Sequence, residues 1–220
     1  MNVETAREQS EKAITEHLST EWRVVDTSLS LLEQCVERLS ISSAENTFAS
    51  FLLIVLVKTK HFARACTLLV LEGFAQEAGA ILRLWVEAIE LIRYLAEQPD
   101  RIGEIMEERL PSPGERAKRI GGHFQGLRKY LNENSSHFSF TRASLAHVVD
   151  PVTRQVATET PFSLKSLRSN LSMLFAFSFF TAAEAVNAIG VSSTPNEDLA
   201  EVLEELRNIG VKVFEIASAG

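Results

Sequence analysis

The chain has 220 residues, of which 45% are hydrophobic and 23% charged, with only ten glycines and six prolines. This composition is typical of a folded globular protein and argues against a mostly disordered one. A net charge of −7 and an isoelectric point near 5.4 argue against general affinity for nucleic-acid backbones, so RNA would need a local basic patch. At this length we expect a single domain over residues 1–220.

The first predicted element is a long helix over about residues 4–40. Its apolar residues alternate between spacings of four and three, at Leu18, Trp22, Val25, Leu29, Leu32, Val36 and Leu39. This seam fits packing within one bundle and also packing against a second copy, so we expect a homodimer. Residues 1–17 have no apolar signal-peptide core, and Cys35 and Cys66 lie in apolar patterns without a metal-binding motif. We therefore expect a cytoplasmic protein with buried free thiols.

Two strongly apolar helices are predicted next, at about residues 43–71 and 74–97. Gly73, between them, fits either a turn or a glycine tolerated inside a helix. A short acidic helix at about 100–109 precedes another that begins near Pro113. The polar segment 132–160 then predicts a long loop, a kind of element that often carries function.

The last predicted helices are an apolar one at residues 161–189, closed by Gly190, and a C-terminal one with another seam of alternating spacing. The longest apolar runs, 48–57 and 171–183, are shorter than the roughly 20 residues that span a bilayer. We therefore expect core helices and no membrane partner.

Recurrent helix-start signals support this all-helical interpretation. Capping-box spacing occurs at Ser42 to Glu45, Ser112 to Glu115 and Thr194 to Glu197, and Thr160-Pro161 repeats the Thr-Pro start. No run shows sustained alternation of period two bounded by hairpin turns. The predicted fold class is all-α, a helical bundle of about six to eight helices.

A polar stripe crosses the third of these helices, in the stretch LRLWVEAIELIRYL. At 100° per residue Arg83, Glu87, Glu90 and Tyr94 share one face, and apolar residues cover the rest. A solvated face, a structural ion pair and a ligand site all remain open. Because the surroundings are apolar, we expect Arg83 and Glu87 to face the interior near Tyr130 and His137. Loss of Arg83 should then cost about 3–5 kcal/mol.

The region 61–137 resembles an uncharacterised bacterial all-helical family with an Arg-x3-Glu pair and a downstream Tyr and His. The matching positions are Arg83, Glu87, Tyr94, Pro99, Tyr130 and His137. The resemblance implies a helical bundle with a polar cluster and implies no particular activity.

A weaker similarity links the chain to HEPN-type helical domains, in which an Arg and a His separated by four to six residues contribute to RNA cleavage. Arg142 and His147 have this spacing, as do Arg116 and His123. However, Ala117 and Ala143 stand where that motif usually has a polar residue. These two pairs are the candidate catalytic residues of a ribonuclease or defence-associated RNA-binding protein, and RNA is an expected partner only under this alternative.

The basic segment that contains the second pair fits either a solvated helix face or a surface for anions or RNA. Its basic residues are Arg116, Lys118, Arg119, His123, Arg128 and Lys129.

The sequence has no phosphate-binding loop, dinucleotide-binding fingerprint, nucleophile elbow or zinc-protease motif. No Glu-x-x-His pair supports a di-metal centre, which leaves only the loose spacing of Glu133 and His137. We therefore expect no cofactor and no metal. The leading interpretation is a non-enzymatic interaction or ligand-sensing module whose polar Arg83 and Glu87 network shapes its interior, with a small ligand as an expected partner.

Overall fold

The structure is a computed structural model, and it describes residues 5–44, 46–122, 124–134, 145, 149, 153, 155–156, 162–192 and 194–218. Within these residues the chain forms nine α-helices and the 3₁₀ helix Pro99–Arg101. The α-helices are α1 Ala6–His17, α2 Ser19–Ser42, α3 Thr47–Leu71, α4 Ala75–Glu97, α5 Ile102–Met106, α6 Pro113–Arg119, α7 Gln125–Asn134, α8 Leu164–Val191 and α9 Glu197–Ser218. The predicted all-α helical bundle is confirmed.

The bundle core lies between α2, α3, α4 and α8, and α9 packs on α2 and α8. Trp85 of α4 is fully buried, and its indole N–H donates a 2.7 Å hydrogen bond to the Thr181 hydroxyl on α8. Cys35 and Cys66 are free and buried, and burial raises the pKa of each thiol to about 12. Since α4 contacts α3, α8, α6 and α7, it is the helix around which the polar side chains are organised.

The predicted single helix over residues 4–40 is wrong in one respect, because the chain breaks between α1 and α2. Leu18 leaves the helical conformation, with φ −126° and ψ 22°, and its N–H bonds to the carbonyls of Ala13 and Ile14. Leu18 is also fully buried. The apolar spacing therefore continues through the break. For this reason the spacing alone does not indicate that the helix ends at this point.

Helix starts were predicted with mixed success. The capping box of Ser112 and Glu115 is formed, with Pro113 in the first turn of α6. Ser42 instead ends α2, and its hydroxyl bonds back to carbonyls of its own helix. The cap of α3 is Asn46, whose side chain accepts a hydrogen bond from the Ala49 N–H. A local side-chain bond can close one helix as readily as it opens the next.

The two later starts also differ from the prediction. The last helix begins at Glu197 rather than at Pro195, and the Thr194 hydroxyl lies 2.9 Å from that of Ser192. Thr160 and Pro161 lie outside the described residues. Here α8 begins at Leu164, with the Ser163 hydroxyl accepting from the Ser166 N–H.

Of the alternatives for Gly73, the structure has the turn. Gly73 lies between α3 and α4 with φ +83°, a left-handed conformation that favours glycine. The predicted loop 132–160 begins later than expected, since α7 continues to Asn134, and most of that segment lies outside the described residues.

The apolar run 171–183 belongs to α8, a helix of 28 residues with a mean hydropathy of 1.6 over its most apolar 18-residue window. By length and composition alone this helix could cross a membrane. In the structure 56% of that window is buried in the bundle, and core helices of soluble proteins meet the same criterion.

Candidate functional site

The polar stripe of α4 becomes more buried along its length. The Arg83 and Glu87 side chains are 35% and 18% exposed, and the Arg83 Nε donates a 3.2 Å hydrogen bond to Glu87 Oε1. By contrast, Glu90 is 2% exposed and Tyr94 is fully buried. The prediction that Arg83 and Glu87 face the interior is therefore wrong for this pair, which lies at the margin of the bundle. On the next two turns of α4, the polar groups of Glu90 and Tyr94 lie in the interior of the bundle.

Glu90 forms the buried ion pair of the stripe. Its Oε2 accepts a 2.8 Å hydrogen bond from Nη1 of Arg128 on α7, whose side chain is 13% exposed. The Oε1 atom has no hydrogen-bond partner among the described residues. Burial raises the pKa of Glu90, and the nearby Arg128 and Arg116 oppose that shift.

Tyr94 continues the stripe into a second polar network. Its hydroxyl donates a 2.7 Å bond to Glu104 and accepts a 2.8 Å bond from Arg119. The Arg101 guanidinium lies 4.0 Å from the ring centroid and donates to the Tyr94 carbonyl. Burial, together with the bond to Glu104, raises the pKa of Tyr94. Because the phenol is buried and bonded on both sides, its role here is to hold the segment after α4.

Arg116, on α6, is the buried cation at the open end of the stripe. It is 7% exposed, and its Nη1 donates a 2.7 Å bond to the Pro111 carbonyl. Its Nε has no hydrogen-bond partner among the described residues. Burial lowers the pKa of Arg116, while the carboxylates of Glu87 and Glu90 favour its charged form.

Arg116 also lines a groove of about 210 Å³ between α3, α4 and α6, which we call the α3–α4–α6 groove. The other lining residues are Val55, Lys58, Phe62, Leu84, Glu87, Ala88 and Leu91. One cation, Lys58, comes from α3 and had not been predicted. Its only sequence signal is a lysine pair after the apolar run 48–57. The groove thus brings two cations and one carboxylate to a mostly apolar surface.

The basic segment divides into a buried part and an exposed part. Arg116 and Arg128 turn towards α4, whereas the Arg119 side chain is 49% exposed and that of Lys129 76% exposed. The described part of the basic segment is therefore neither a wholly solvated helix face nor a continuous basic surface.

Several predicted site residues are not joined to the stripe. Tyr130 is 50% exposed and lines a different groove, beside Gln76 and Asn170. The candidate residues His137, Arg142, His147 and His123 lie outside the described residues. Arg116, the described member of one candidate catalytic pair, is buried and bonded to a backbone carbonyl, which disfavours contact with an RNA substrate.

In the described part of the chain, no group of three or more His, Cys, Asp or Glu side chains could hold a metal ion. The loose Glu133 and His137 pairing falls partly outside that part, because His137 is not described.

Comparison of the chain with protein-family models, with curated proteins and with solved structures gave no match. The resemblance to an uncharacterised bacterial helical family, the similarity to HEPN-type domains, the homodimer and the cytoplasmic location all stay predictions.

Proposed function

We propose that this protein is a non-enzymatic ligand-binding module whose small ligand occupies the α3–α4–α6 groove. The observation that carries the proposal is Arg116, a groove-lining guanidinium that is 7% exposed and whose Nε lacks a partner among the described residues. Burying a charged donor is costly unless its hydrogen bonds are completed. The Nε atom is itself enclosed, so a polar ligand group in the groove would act on the guanidinium through its charge.

The groove is also linked to the start of α6, one of the helices that form it, which supports a sensing role. Arg116 donates to the Pro111 carbonyl, and Arg128 donates a 3.0 Å bond to the Pro113 carbonyl. These carbonyls flank Ser112, the residue that caps α6. A ligand that draws on Arg116 would therefore alter the anchoring of this turn, and a partner could detect that change.

Three probes that each have six carbons in a straight chain and differ in their head groups test the proposal. Hexanoate, hexan-1-ol and hexylammonium would each be titrated into labelled protein and followed by amide chemical shifts. We expect at least one to bind saturably and to shift groove residues. Ala88→Leu, which adds side-chain volume to the groove wall, should weaken that binding at least tenfold. Ala200→Leu on the exposed face of α9 is the matched control and should leave it unchanged.

Three outcomes would contradict the proposal. The first is that none of the three probes binds, and the second is that both leucine variants weaken binding equally. The third is cleavage of RNA by the purified protein that is lost in Arg142→Ala and His147→Ala variants.

A further inference from the structure

We infer that the ligand of the α3–α4–α6 groove is a small organic monoanion of the carboxylate class, with a short apolar body and its charge between Lys58 and Arg116. The inference rests on the proposed function and adds the chemical class of the ligand.

The charges of the groove favour an anion. Of the lining residues, Lys58 and Arg116 are cations and Glu87 is the carboxylate. Glu87 already accepts a hydrogen bond from Arg83. Lys58 has no ion-pair partner within the described residues, and Arg116 donates to a neutral carbonyl and lacks a partner at Nε. The groove therefore has cationic charge to spare, although the whole chain carries a net charge of −7. A cationic ligand would meet two like charges.

The walls of the groove favour an apolar body behind the charge. Most lining residues are apolar, namely Val55, Phe62, Leu84, Ala88 and Leu91. Leu84 is 45% exposed, so a bound chain would remove apolar surface from water. An inorganic anion would pair with the cations but would leave the apolar side chains of the walls exposed to water.

The size of the groove limits the ligand. Its volume of about 210 Å³ lies below the roughly 300–1,000 Å³ typical of sites for drug-sized ligands. Hexanoate, with eight heavy atoms, is a probe of this smaller size. The groove therefore suits a short carboxylic acid better than a drug-sized ligand.

The test compares hexanoate with hexan-1-ol, which lacks the charge, in the wild-type protein and two variants. Lys58→Gln removes the exposed cation, which avoids disturbing the buried Arg116. Lys60→Gln makes the same change two residues along α3, where the side chain pairs with Glu33 at 3.7 Å and points away from Lys58. We expect hexanoate to bind at least tenfold more tightly than hexan-1-ol. Lys58→Gln should abolish that preference, and Lys60→Gln should preserve it.

The other outcomes overturn the inference in distinguishable ways. Suppose that hexan-1-ol binds as tightly as hexanoate and that Ala88→Leu still weakens its binding. The groove then binds ligands without selecting anions, and only the inference fails. If the preference for hexanoate persists in Lys58→Gln, the anion is held elsewhere and the inference also fails. If none of the six-carbon probes binds, the inference and the proposed function fail together.

Discussion

Two ion pairs that involve α4 are both formed by an arginine and a glutamate, but they differ in burial and in the elements that they join. Arg83 and Glu87 lie one turn apart on α4, with side chains 35% and 18% exposed. Glu90 pairs with Arg128, 38 residues away on α7, and these side chains are 2% and 13% exposed. The first pair stays within one helix at its margin, whereas the second joins two helices in the interior.

Burial decides what each pair contributes. An exposed pair within one helix stabilises by about 0.3–0.5 kcal/mol, because water screens the attraction. In a buried pair the loss of one partner strands a charge and costs about 3–5 kcal/mol, although the intact pair need not be strongly stabilising. The raised pKa of Glu90 agrees with this view, since burial outweighs the attraction of both arginines.

The largest expected effect follows removal of Arg128. Arg128→Met should lower the free energy of unfolding by about 3–5 kcal/mol, because Glu90 would keep its charge without a bonded cation. Urea denaturation followed by circular dichroism measures this loss. Lys129→Ala, at the neighbouring exposed residue, is the control and should change stability by less than about 0.5 kcal/mol. Equal losses in the two variants would mean that the buried pair does not contribute to stability through its burial.

The loss in Arg128→Met should also depend on pH. Burial raises the pKa of Glu90 in the folded protein above its unfolded value, so the ionised form carries the cost. As the pH falls through the folded pKa, Glu90 takes up a proton and the stranded charge disappears. The stability difference from the wild type should therefore shrink in acid, and denaturation series at several pH values would measure it. A difference that grows in acid would contradict this explanation.

A smaller effect is expected from crowding the same carboxylate. A Cβ atom on Gly122 would lie 2.9 Å from Glu90 Oε1, and Gly122 does not have a positive φ. Gly122→Ala should therefore destabilise by about 1–3 kcal/mol through overpacking. A Cβ on Gly126 of α7 meets nothing within 4 Å, so Gly126→Ala should be neutral or stabilise by up to about 1 kcal/mol. Similar losses in both alanine variants would show that Glu90 is not held in place.

Polar contacts within one helix could be predicted from the sequence, whereas polar contacts between helices could not. The spacing of Arg83 and Glu87 predicted their bond, because helix geometry alone places them together. The partner of Glu90 could not be predicted, since Arg128 reaches it only after α7 has packed on α4. The same holds for Lys58, which lines the same groove as Arg116 only once α3, α4 and α6 have packed together.

Helix boundaries show the same limit. Apolar periodicity located α3, α4 and α8 well, because their buried faces repeat with the helical period. The break at Leu18 was missed, since that residue is buried on either interpretation. Ser42 and Asn46 are both residue types that cap helices, and in the structure Asn46 caps α3 while Ser42 lies in the last turn of α2.

The smallest effect is expected at the marginal pair. Arg83→Ala should change the free energy of unfolding by about 0.5 kcal/mol or less, because the pair is partly exposed to solvent and lies within one helix. This replaces the larger loss that the sequence suggested. Thermal and urea unfolding of Arg83→Ala and Glu87→Ala measure it. A loss of several kcal/mol would mean that the pair is buried in solution.

The most direct test of this division of the stripe is a double-mutant cycle on each pair, run in the same buffer and denaturant. Single and double alanine variants of Glu90 and Arg128 should give a coupling energy of about 2 kcal/mol or more, and those of Arg83 and Glu87 about 0.5 kcal/mol or less. Equal coupling energies, or a larger one for the marginal pair, would contradict the assignment of Glu90 and Arg128 as the structural centre of the stripe.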